Sequence, residues 1–199
     1  HEDYMDRIPY SDLKAMQLVV TAVPKNHIVH LANSSTIRYA QLFRWKESLK
    51  IYCNRGTSGI DGSISTSVGA AMVLKDPVLV ITGDLSFFYD SNGLWNNNIP
   101  NNYRIIILNN SGGGIFRILP GDNNSETFDT YFETIHNHNA KPVCDLFGFG
   151  YASAKTSEEI EQQLNTFFDT SEKPKVLEIF TPRKVNDEVL INYFTAILD

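Results

Sequence analysis

The sequence predicts an α/β fold, with a doubly wound, mostly parallel β-sheet and helices on both of its faces. Strand-like segments alternate with helix-like segments along the 199 residues, and the strand-like segments are apolar throughout rather than at every second position. Such continuous apolar runs are typical of parallel strands that are covered on both faces. No internal repeat, low-complexity tract or linker interrupts the alternation. We therefore expect residues 1–199 to form a single domain.

The elements of the first half follow from apolar spacing and from turn residues. A helix is predicted over Tyr10–Val23, because apolar residues recur at helical spacing after Ser11 and Pro24 follows. Short apolar runs predict strands at residues 27–32, 50–53, 78–82 and 104–108. The helices predicted between these strands span residues 34–45, 58–75 and 85–97, the last with a cap near Ser86.

The pattern weakens after Phe116. Residues 117–139 are rich in turn formers and predict a long surface loop that carries a short helix. His136 and His138 lie in this polar loop without further clustered ligands, so the His-Asn-His run gives little reason to expect a metal site. The remaining elements are predicted to be helices at residues 142–150, 157–170 and 188–198 and strands at residues 151–155 and 175–180.

Composition argues against several classes of protein. Hydrophobic residues make up 42% of the chain and charged residues 20%, which is typical of a folded protein, and the net charge of −6 argues against a nucleic-acid surface. The apolar runs are much shorter than the roughly 20 residues of a membrane-spanning helix. Cys53 and Cys144 are widely separated, which argues against a zinc site or a disulfide framework and favours the cytoplasm. The chain opens at His1 without a signal-peptide pattern, and we expect it to be part of a longer protein.

Two neighbouring strand-like runs end abruptly in polar residues. VLVIT is followed by Gly83-Asp84 and RIIIL by Asn109-Asn110, and Asp84 and Asn110 are 26 positions apart, the length of one crossover. If the strands are neighbours, both side chains meet at the carboxyl edge of the sheet, where parallel sheets bind ligands. Carboxylate and amide oxygens, with a backbone carbonyl from the glycine run, suit Mg²⁺ on a phosphorylated ligand. Taken separately, Asp84 is also explained as a helix cap and the Asn-Asn-Ser-Gly-Gly run as a turn.

The stretch from Gly83 to Gly113 resembles the thiamine-diphosphate motif, which starts with Gly-Asp-Gly and closes with Asn-Asn about one crossover later. The resemblance implies that Asp84, Asn110 and the carbonyl of Gly112 hold Mg²⁺, or Mn²⁺, on the diphosphate of the cofactor. The chain departs from the motif in two ways. The third residue is Leu85 rather than glycine, and the spacing between the Gly-Asp start and the Asn-Asn end is one residue shorter.

The flanking segments resemble one enzyme family more specifically. Four segments are similar to the C-terminal cofactor domain of the 2-succinyl-5-enolpyruvyl-6-hydroxy-3-cyclohexene-1-carboxylate synthases of menaquinone biosynthesis. These enzymes were formerly described as 2-oxoglutarate decarboxylases. The four segments are NSSTIR, NRGTSGIDGSISTSVGAA, GDLSFFYDSNGL and NNSGGGIFRILP. The resemblance covers residues 27–182. It implies a thiamine-diphosphate-binding fold and, for the whole enzyme, a transferase that decarboxylates 2-oxoglutarate and adds the remaining unit to isochorismate.

The resemblance also implies which residues contact the cofactor. Ile60 would support the cofactor in a bent shape, Ser58 and Gly59 would line its aminopyrimidine, and Ser86 would face the diphosphate. An ordinary core isoleucine and plain helix caps remain alternatives for Ile60 and the two serines. The cofactor-binding set is Ser58, Gly59, Ile60, Asp84, Leu85, Ser86 and Asn110.

Both implied substrates are dianions, and arginine binds carboxylates well because its fork matches them. Arg38 and Arg55 match substrate-contacting positions of the family, and Ser34 could add a hydrogen bond. Solvated surface arginines are the alternative. An apolar wall over the reacting carbons is implied at Ile115, Phe116 and Leu119, which could equally be core residues.

No catalytic residue is predicted within this chain. In the family, a glutamate on a separate pyrimidine-binding domain activates the cofactor from a neighbouring subunit, so we expect a homo-oligomer and an inactive isolated chain. The alternatives are another thiamine-dependent 2-oxoacid decarboxylase or synthase, a nicotinamide oxidoreductase, and a regulatory domain without chemistry. The oxidoreductase is disfavoured because no Gly-x-Gly-x-x-Gly opens the first crossover.

Overall fold

A computed structural model describes residues 1–121 and 124–197, and within them the chain forms a six-stranded, fully parallel β-sheet. The order of the strands is β2-β1-β3-β4-β6-β5. The strands are β1 (Ile28–Leu31), β2 (Lys50–Cys53), β3 (Val78–Gly83), β4 (Arg104–Asn109), β5 (Gly150–Ala154) and β6 (Lys175–Phe180). The predicted α/β fold with a doubly wound parallel sheet is confirmed.

Eight α-helices connect and flank the strands within the described residues. They are α1 (Glu2–Arg7), α2 (Asp12–Ala22), α3 (Ser35–Ala40), α4 (Ser63–Val73), α5 (Asp84–Tyr89), α6 (Lys141–Phe147), α7 (Ser157–Phe167) and α8 (Asn186–Ala196). Two 3₁₀-helices, Ser91–Leu94 and Gly114–Ile118, and a π-helical turn, Phe128–Phe132, lie in the connections. None of the helices in the described ranges is long and apolar enough to cross a membrane.

Each face of the sheet has its own buried core. Alternate residues of the strands, such as Ile81 and Ile106, pack on one face against α2, α7 and α8. The intervening residues, such as Val80 and Ile105, pack on the other face against α4 and α6. Because side chains of a strand point alternately to the two faces, both sets must be apolar, which explains the continuous apolar runs.

The three crossover helices of the first half are much shorter than the sequence pattern predicts. The helix α3 ends at Ala40 instead of residue 45, and α4 begins at Ser63 instead of residue 58. Ser58 has a φ of 57°, a left-handed conformation outside the helical region, and residues 54–62 form a loop between β2 and α4. The helix α5 ends at Tyr89 instead of residue 97, and the carboxylate of the following Asp90 accepts hydrogen bonds from Ser65.

The predicted cap near Ser86 is wrong. The first residue of α5 is Asp84, and Gly83 occupies the N-cap position without a side-chain hydrogen bond. The buried Ser86 hydroxyl donates a hydrogen bond to the carbonyl oxygen of Ile60 at 2.8 Å instead.

The strand order contains a topological switch point. β1 lies between β2 and β3, so the chain leaves β1 toward one edge of the sheet and later crosses to the other side of β1. The loops that follow β1 and β3 diverge at their carboxyl ends and leave a crevice, which is the usual ligand site of this architecture.

Candidate functional site

A cavity of about 300 Å³ opens at the carboxyl ends of β1, β3 and β4. Most of the residues that sequence analysis assigned to a site line it, namely Ser34, Ser58, Gly59, Ile60, Asp84, Leu85, Ser86, Asn110, Gly112, Ile115 and Phe116. Arg38, Arg55 and Leu119 do not line it. The fold therefore brings the predicted cofactor and metal positions together and leaves three predicted substrate positions outside the cavity wall.

Asp84 is a buried carboxylate at the end of a central strand. β3 and β4 are adjacent, with Gly83 opposite Leu108, so the ends of both strands reach the same edge. Asp84 is only 3% exposed. Its Oδ1 accepts a hydrogen bond from the backbone N–H of Leu85 at 2.7 Å, and its Oδ2 accepts one from the N–H of Gly112 at 3.0 Å. The bond to Gly112 joins the two strand ends directly.

Asn110 carries a buried oxygen that lacks a partner. Its Nδ2 donates to Oδ2 of Asp12 at 2.8 Å, whereas its Oδ1 has no hydrogen-bond partner among the described residues. A buried polar atom is normally satisfied, and an exception is expected where a ligand completes the site. We refer to Asp84, Asn110 and Gly112 as the strand-end cluster.

Asp12, which sequence analysis missed, adds a second buried carboxylate to the cavity wall. It is 1% exposed and accepts hydrogen bonds from Thr181 and Asn110. Burial raises the pKa of Asp12 to about 6; the hydrogen bonds from Thr181 and Asn110 oppose the shift, and the nearby charge of Asp84 adds to it. Asp12 and Asp84 both line the cavity, and two buried carboxylates in one wall favour a cation there.

Gly112 is needed because the backbone is crowded there. Its φ is 153°, and a Cβ atom at this position would lie 2.6 Å from the carbonyl oxygen of Glu133. Only glycine allows the turn after β4 to approach both Asp84 and the loop that covers it.

The opposite wall is formed by residues 54–60, which we call the rim loop. The side chain of Asn33, 1% exposed, holds this loop by donating to the carbonyl oxygens of Asn54 and Gly59 at 2.8 and 2.7 Å. Arg55 is exposed overall and donates to Oδ1 of Asn33 at 2.8 Å. Asn33 was not singled out from the sequence, because an asparagine after a strand is usual in turns.

The other two predicted residues outside the cavity lie near it. Arg38 is half-buried on α3, and its NH1 contacts the carbonyl oxygen of Ser34 at 3.4 Å. Leu119 is 49% exposed and lines a neighbouring cavity together with Phe116. Their roles toward a substrate stay predictions.

A buried ionic cluster fastens the loop after β4. Glu133 is fully buried, and its carboxylate accepts hydrogen bonds from Arg117 and from Arg183, the latter at 2.7 Å. The backbone carbonyl of Glu133 accepts from the N–H of Gly113 at 2.6 Å. The loop predicted to lie on the surface therefore folds back over the strand-end cluster at this point.

His136 lies against the strand-end cluster. Its Nε2 is 3.2 Å from Oδ2 of Asp84, and its side chain is 8% exposed. The His-Asn-His run was visible in the sequence, but nothing local placed it beside a residue 52 positions earlier.

Comparison with known proteins agrees with this geometry. Residues 33–179 match the family described as the thiamine pyrophosphate enzyme, C-terminal TPP binding domain. The chain belongs to this family. Membership sets aside the nicotinamide oxidoreductase.

The most similar relatives share one name. A 2-succinyl-5-enolpyruvyl-6-hydroxy-3-cyclohexene-1-carboxylate synthase from Christiangramia forsetii is 68% identical over 98% of this chain and 34% of its own length. A synthase of the same name from Flavobacterium psychrophilum is 52% identical over 96% of this chain and 34% of its own. The chain thus spans about a third of the length of these relatives.

A solved structure with the same fold is the benzoylformate decarboxylase from Polynucleobacter necessarius. It aligns with a TM-score of 0.69 over 90% of this chain and 34% of that protein, at 14% identity. At this identity the likeness concerns the thiamine pyrophosphate domain fold alone.

The donor set of this thiamine pyrophosphate domain fits a hard divalent cation. Asp84 would supply a carboxylate and Asn110 an amide oxygen that has no partner among the described residues, and Gly112 would supply a backbone carbonyl, which also accepts a hydrogen bond from the N–H of Gly114 at 3.1 Å. All three are oxygen ligands of the kind that Mg²⁺ prefers. No group of three or more His, Cys, Asp or Glu side chains suited to a metal ion occurs in residues 1–121 and 124–197.

Proposed function

We propose that this chain binds thiamine diphosphate through a divalent cation, Mg²⁺ or Mn²⁺, held by the strand-end cluster. The observation that carries the proposal is the buried, unpartnered Oδ1 of Asn110 on the wall of a cavity that also contains the buried carboxylate of Asp84. A divalent cation held there would satisfy this oxygen atom and neutralise the buried carboxylate.

The remaining wall of the cavity orients the cofactor. Ile60 is half-buried on the rim loop, where its side chain can press against a bound ring system, and Ser58 and Gly59 lie beside it. Leu85 and Ser86 lie on the first turn of α5, next to the expected diphosphate. When bound, thiamine diphosphate supplies the carbanion chemistry, so the task of these residues is to bind, bend and orient it.

For the whole protein we propose the activity for which the relatives are named. The full enzyme would decarboxylate 2-oxoglutarate and transfer the succinyl-semialdehyde unit to isochorismate in menaquinone biosynthesis. Identity of 68% over nearly the whole chain supports this assignment over another thiamine-dependent 2-oxoacid enzyme. Both cysteines, Cys53 and Cys144, are free thiols, which supports a cytoplasmic location.

The chain would hold one half of a split active site. A pyrimidine-binding domain of the same enzyme, contributed across a homo-oligomer, would supply the activating glutamate, and the isolated chain would be inactive. Arg38, Arg55 and Ser34 would bind substrate carboxylates near the rim, with Ile115, Phe116 and Leu119 as the apolar wall. The hydrogen bond from Arg55 to Asn33 supports this role, because Asn33 lines the cavity.

Calorimetric titration of the chain with thiamine diphosphate, with and without Mg²⁺, tests the cofactor site. We expect binding that requires Mg²⁺ and that disappears in Asp84→Ala, while Asp61→Ala, an acidic position outside the cavity wall, binds as the wild type does. Binding with equal affinity in the absence of Mg²⁺, or retained in Asp84→Ala, would contradict the proposed site.

A further inference from the structure

Asp12 is a buried carboxylate on the cavity wall to which the proposed function gives no role. It is the first residue of α2 and is only 1% exposed. Its carboxylate accepts hydrogen bonds from two neutral side chains, the hydroxyl of Thr181 and the amide of Asn110. Burial of a charged group is costly unless hydrogen bonds replace its water, so these two contacts help to keep Asp12 in place.

Contacts with three other elements fix the position of Asp12. Its backbone N–H donates to Oδ1 of Asn186 at 2.8 Å, which joins the first residue of α2 to the first residue of α8. The hydroxyl of Thr181, the residue after β6, donates to Oδ1 of Asp12. The backbone N–H of Thr181 donates in turn to the carbonyl oxygen of Asn109, at the end of β4, at 3.0 Å. The carboxylate is thus held at the strand ends with its Oδ2 toward Asn110.

This fixed carboxylate selects the orientation of the Asn110 amide. An ionised carboxylate accepts hydrogen bonds and donates none, so the end of the amide that faces it must be the N–H₂ group. The contact observed is the donation from Nδ2 of Asn110 to Oδ2 of Asp12 at 2.8 Å. The reversed amide would bring two acceptor oxygens together. Because Nδ2 is committed to Asp12, Oδ1 of Asn110 is the end of the amide that has no partner among the described residues.

We propose that Asp12 is a positioning residue that orients the amide of Asn110, so that Oδ1 of Asn110 is available to the metal ion. The proposal rests on the proposed function, because it concerns binding of the ion at that oxygen. Asp12 also lines the cavity, but each of its oxygens already accepts a hydrogen bond, whereas Oδ1 of Asn110 accepts none from the described residues. Asp12 therefore acts through Asn110.

Orientation matters for an amide because only one of its two ends can bind a cation. A carboxylate presents an oxygen whichever way it turns, whereas a reversed amide presents N–H₂ to the ion. Water in place of the Asp12 carboxylate would not select either end, because water both donates and accepts hydrogen bonds. Loss of a partner that orients a metal ligand commonly weakens metal binding by about 10–100-fold.

Two substitutions of Asp12 separate loss of the acceptor from loss of the charge. Alanine removes both, whereas asparagine removes the charge and keeps an oxygen that can accept from Nδ2 of Asn110. The measurement is the Mg²⁺ concentration at which the chain binds half-maximal thiamine diphosphate, followed calorimetrically at pH 8. We expect Asp12→Ala to raise this concentration about 10-fold or more, with binding regained at saturating Mg²⁺. We expect Asp12→Asn to stay close to the wild type.

The orientation of the amide can also be observed without the ion. In nitrogen-15 NMR spectra of the cofactor-free chain, the side-chain N–H₂ signals of Asn110 are identified by their absence in Asn110→Asp. Their exchange with water should be slow in the wild type and in Asp12→Asn, and faster in Asp12→Ala. Rapid exchange in the folded wild type would overturn the proposal, and this result does not depend on a variant that fails to fold.

Glu158→Ala is the matched control for the calorimetric measurement. Glu158 also lies in the first turn of a helix, α7, but it is exposed and outside the cavity wall. This variant is expected to leave the Mg²⁺ requirement unchanged. An unaltered requirement in Asp12→Ala overturns the proposal. An asparagine variant as impaired as the alanine variant also overturns it, since loss of charge alone would then explain the effect.

Asp84→Ala distinguishes the two levels of inference. If Asp84→Ala abolishes Mg²⁺-dependent binding while Asp12→Ala binds normally, the proposed function stands and the role of Asp12 falls. If the wild-type chain itself shows no Mg²⁺-dependent binding of thiamine diphosphate, the proposed function fails and the role of Asp12 fails with it. Thermal unfolding of each variant verifies that a lost response is not a lost fold.

Discussion

The two walls of the cavity are built in different ways. In the strand-end cluster, Asp84 and Asn110 are 3% and 6% exposed and follow central strands. In the rim loop, residues 54–58 are exposed and Gly59 and Ile60 are half-buried. The first wall is part of the folded core, whereas the second is a surface loop held by the side chain of Asn33.

The position of the strands in the sheet explains this difference. β3 and β4 have neighbours on both sides, and nearly all of their residues are buried. β2 is an edge strand, and three of its four residues are exposed. The contrast teaches that, under the proposed function, the metal ion would bind at the rigid wall, while the wall that would meet the cofactor ring and the substrates is the more adjustable one.

The largest loss of stability is expected from Glu133→Gln, which removes the buried charge shared by Arg117 and Arg183. Breaking a buried ion pair costs about 3 kcal/mol of unfolding free energy, because the opposite charge stays buried. The strand-end wall would be weakened, since Glu133 also carries the carbonyl that binds Gly113. Urea unfolding measures the change. The control Glu47→Gln breaks an ion pair with Arg44 in which both side chains are 93% exposed, and it should leave the midpoint unaltered.

Gly112→Ala tests the crowding of the strand-end wall. A side chain would be strained at a φ of 153° and would collide with Glu133. We therefore expect the free energy of unfolding to fall by about 2 kcal/mol and the Mg²⁺-dependent binding of thiamine diphosphate to become much weaker. Gly56→Ala on the rim loop is the matched control, because no atom beyond its own residue and its two chain neighbours lies within 4 Å of the point that its new methyl group would occupy. Equal unfolding midpoints for the two variants would remove the distinction between the walls.

Asn33→Ala tests the hold on the rim loop. Loss of its hydrogen bonds to Asn54 and Gly59 should lower the free energy of unfolding by about 1–2 kcal/mol. The loop should be cleaved faster by a protease that cuts after Arg55, while the Mg²⁺ concentration required for cofactor binding stays the same. A changed Mg²⁺ requirement would instead show that the two walls are coupled.

The smallest effect is expected from Ser86→Ala, which removes the one side-chain hydrogen bond in the described residues that joins α5 to Ile60 on the rim loop. The free energy of unfolding of the cofactor-free chain should fall by about 1 kcal/mol. A double-mutant cycle with Asn33→Ala measures whether the two contacts act on the loop together. Strict additivity would mean that they hold the loop independently.

Much of the fold and the core of the site could be predicted from short-range patterns. Continuous apolar runs mark buried parallel strands, and Asp84 and Asn110 stand out because each closely follows such a run. The lengths of the crossover helices were overestimated, since apolar spacing does not reveal where a loop such as residues 54–60 is pulled over a strand end.

The sequence by itself determined the α/β class, the strands and the polar residues at their ends, because these depend on neighbours along the chain. Only the tertiary structure decided that Asp12, Asn33 and His136 belong to the same site. Asp12 meets Asn110 across 98 positions, and His136 meets Asp84 across a loop whose path depends on a buried ionic cluster. Contacts at such separations arise from how helices and loops pack on the sheet, and no local periodicity encodes them.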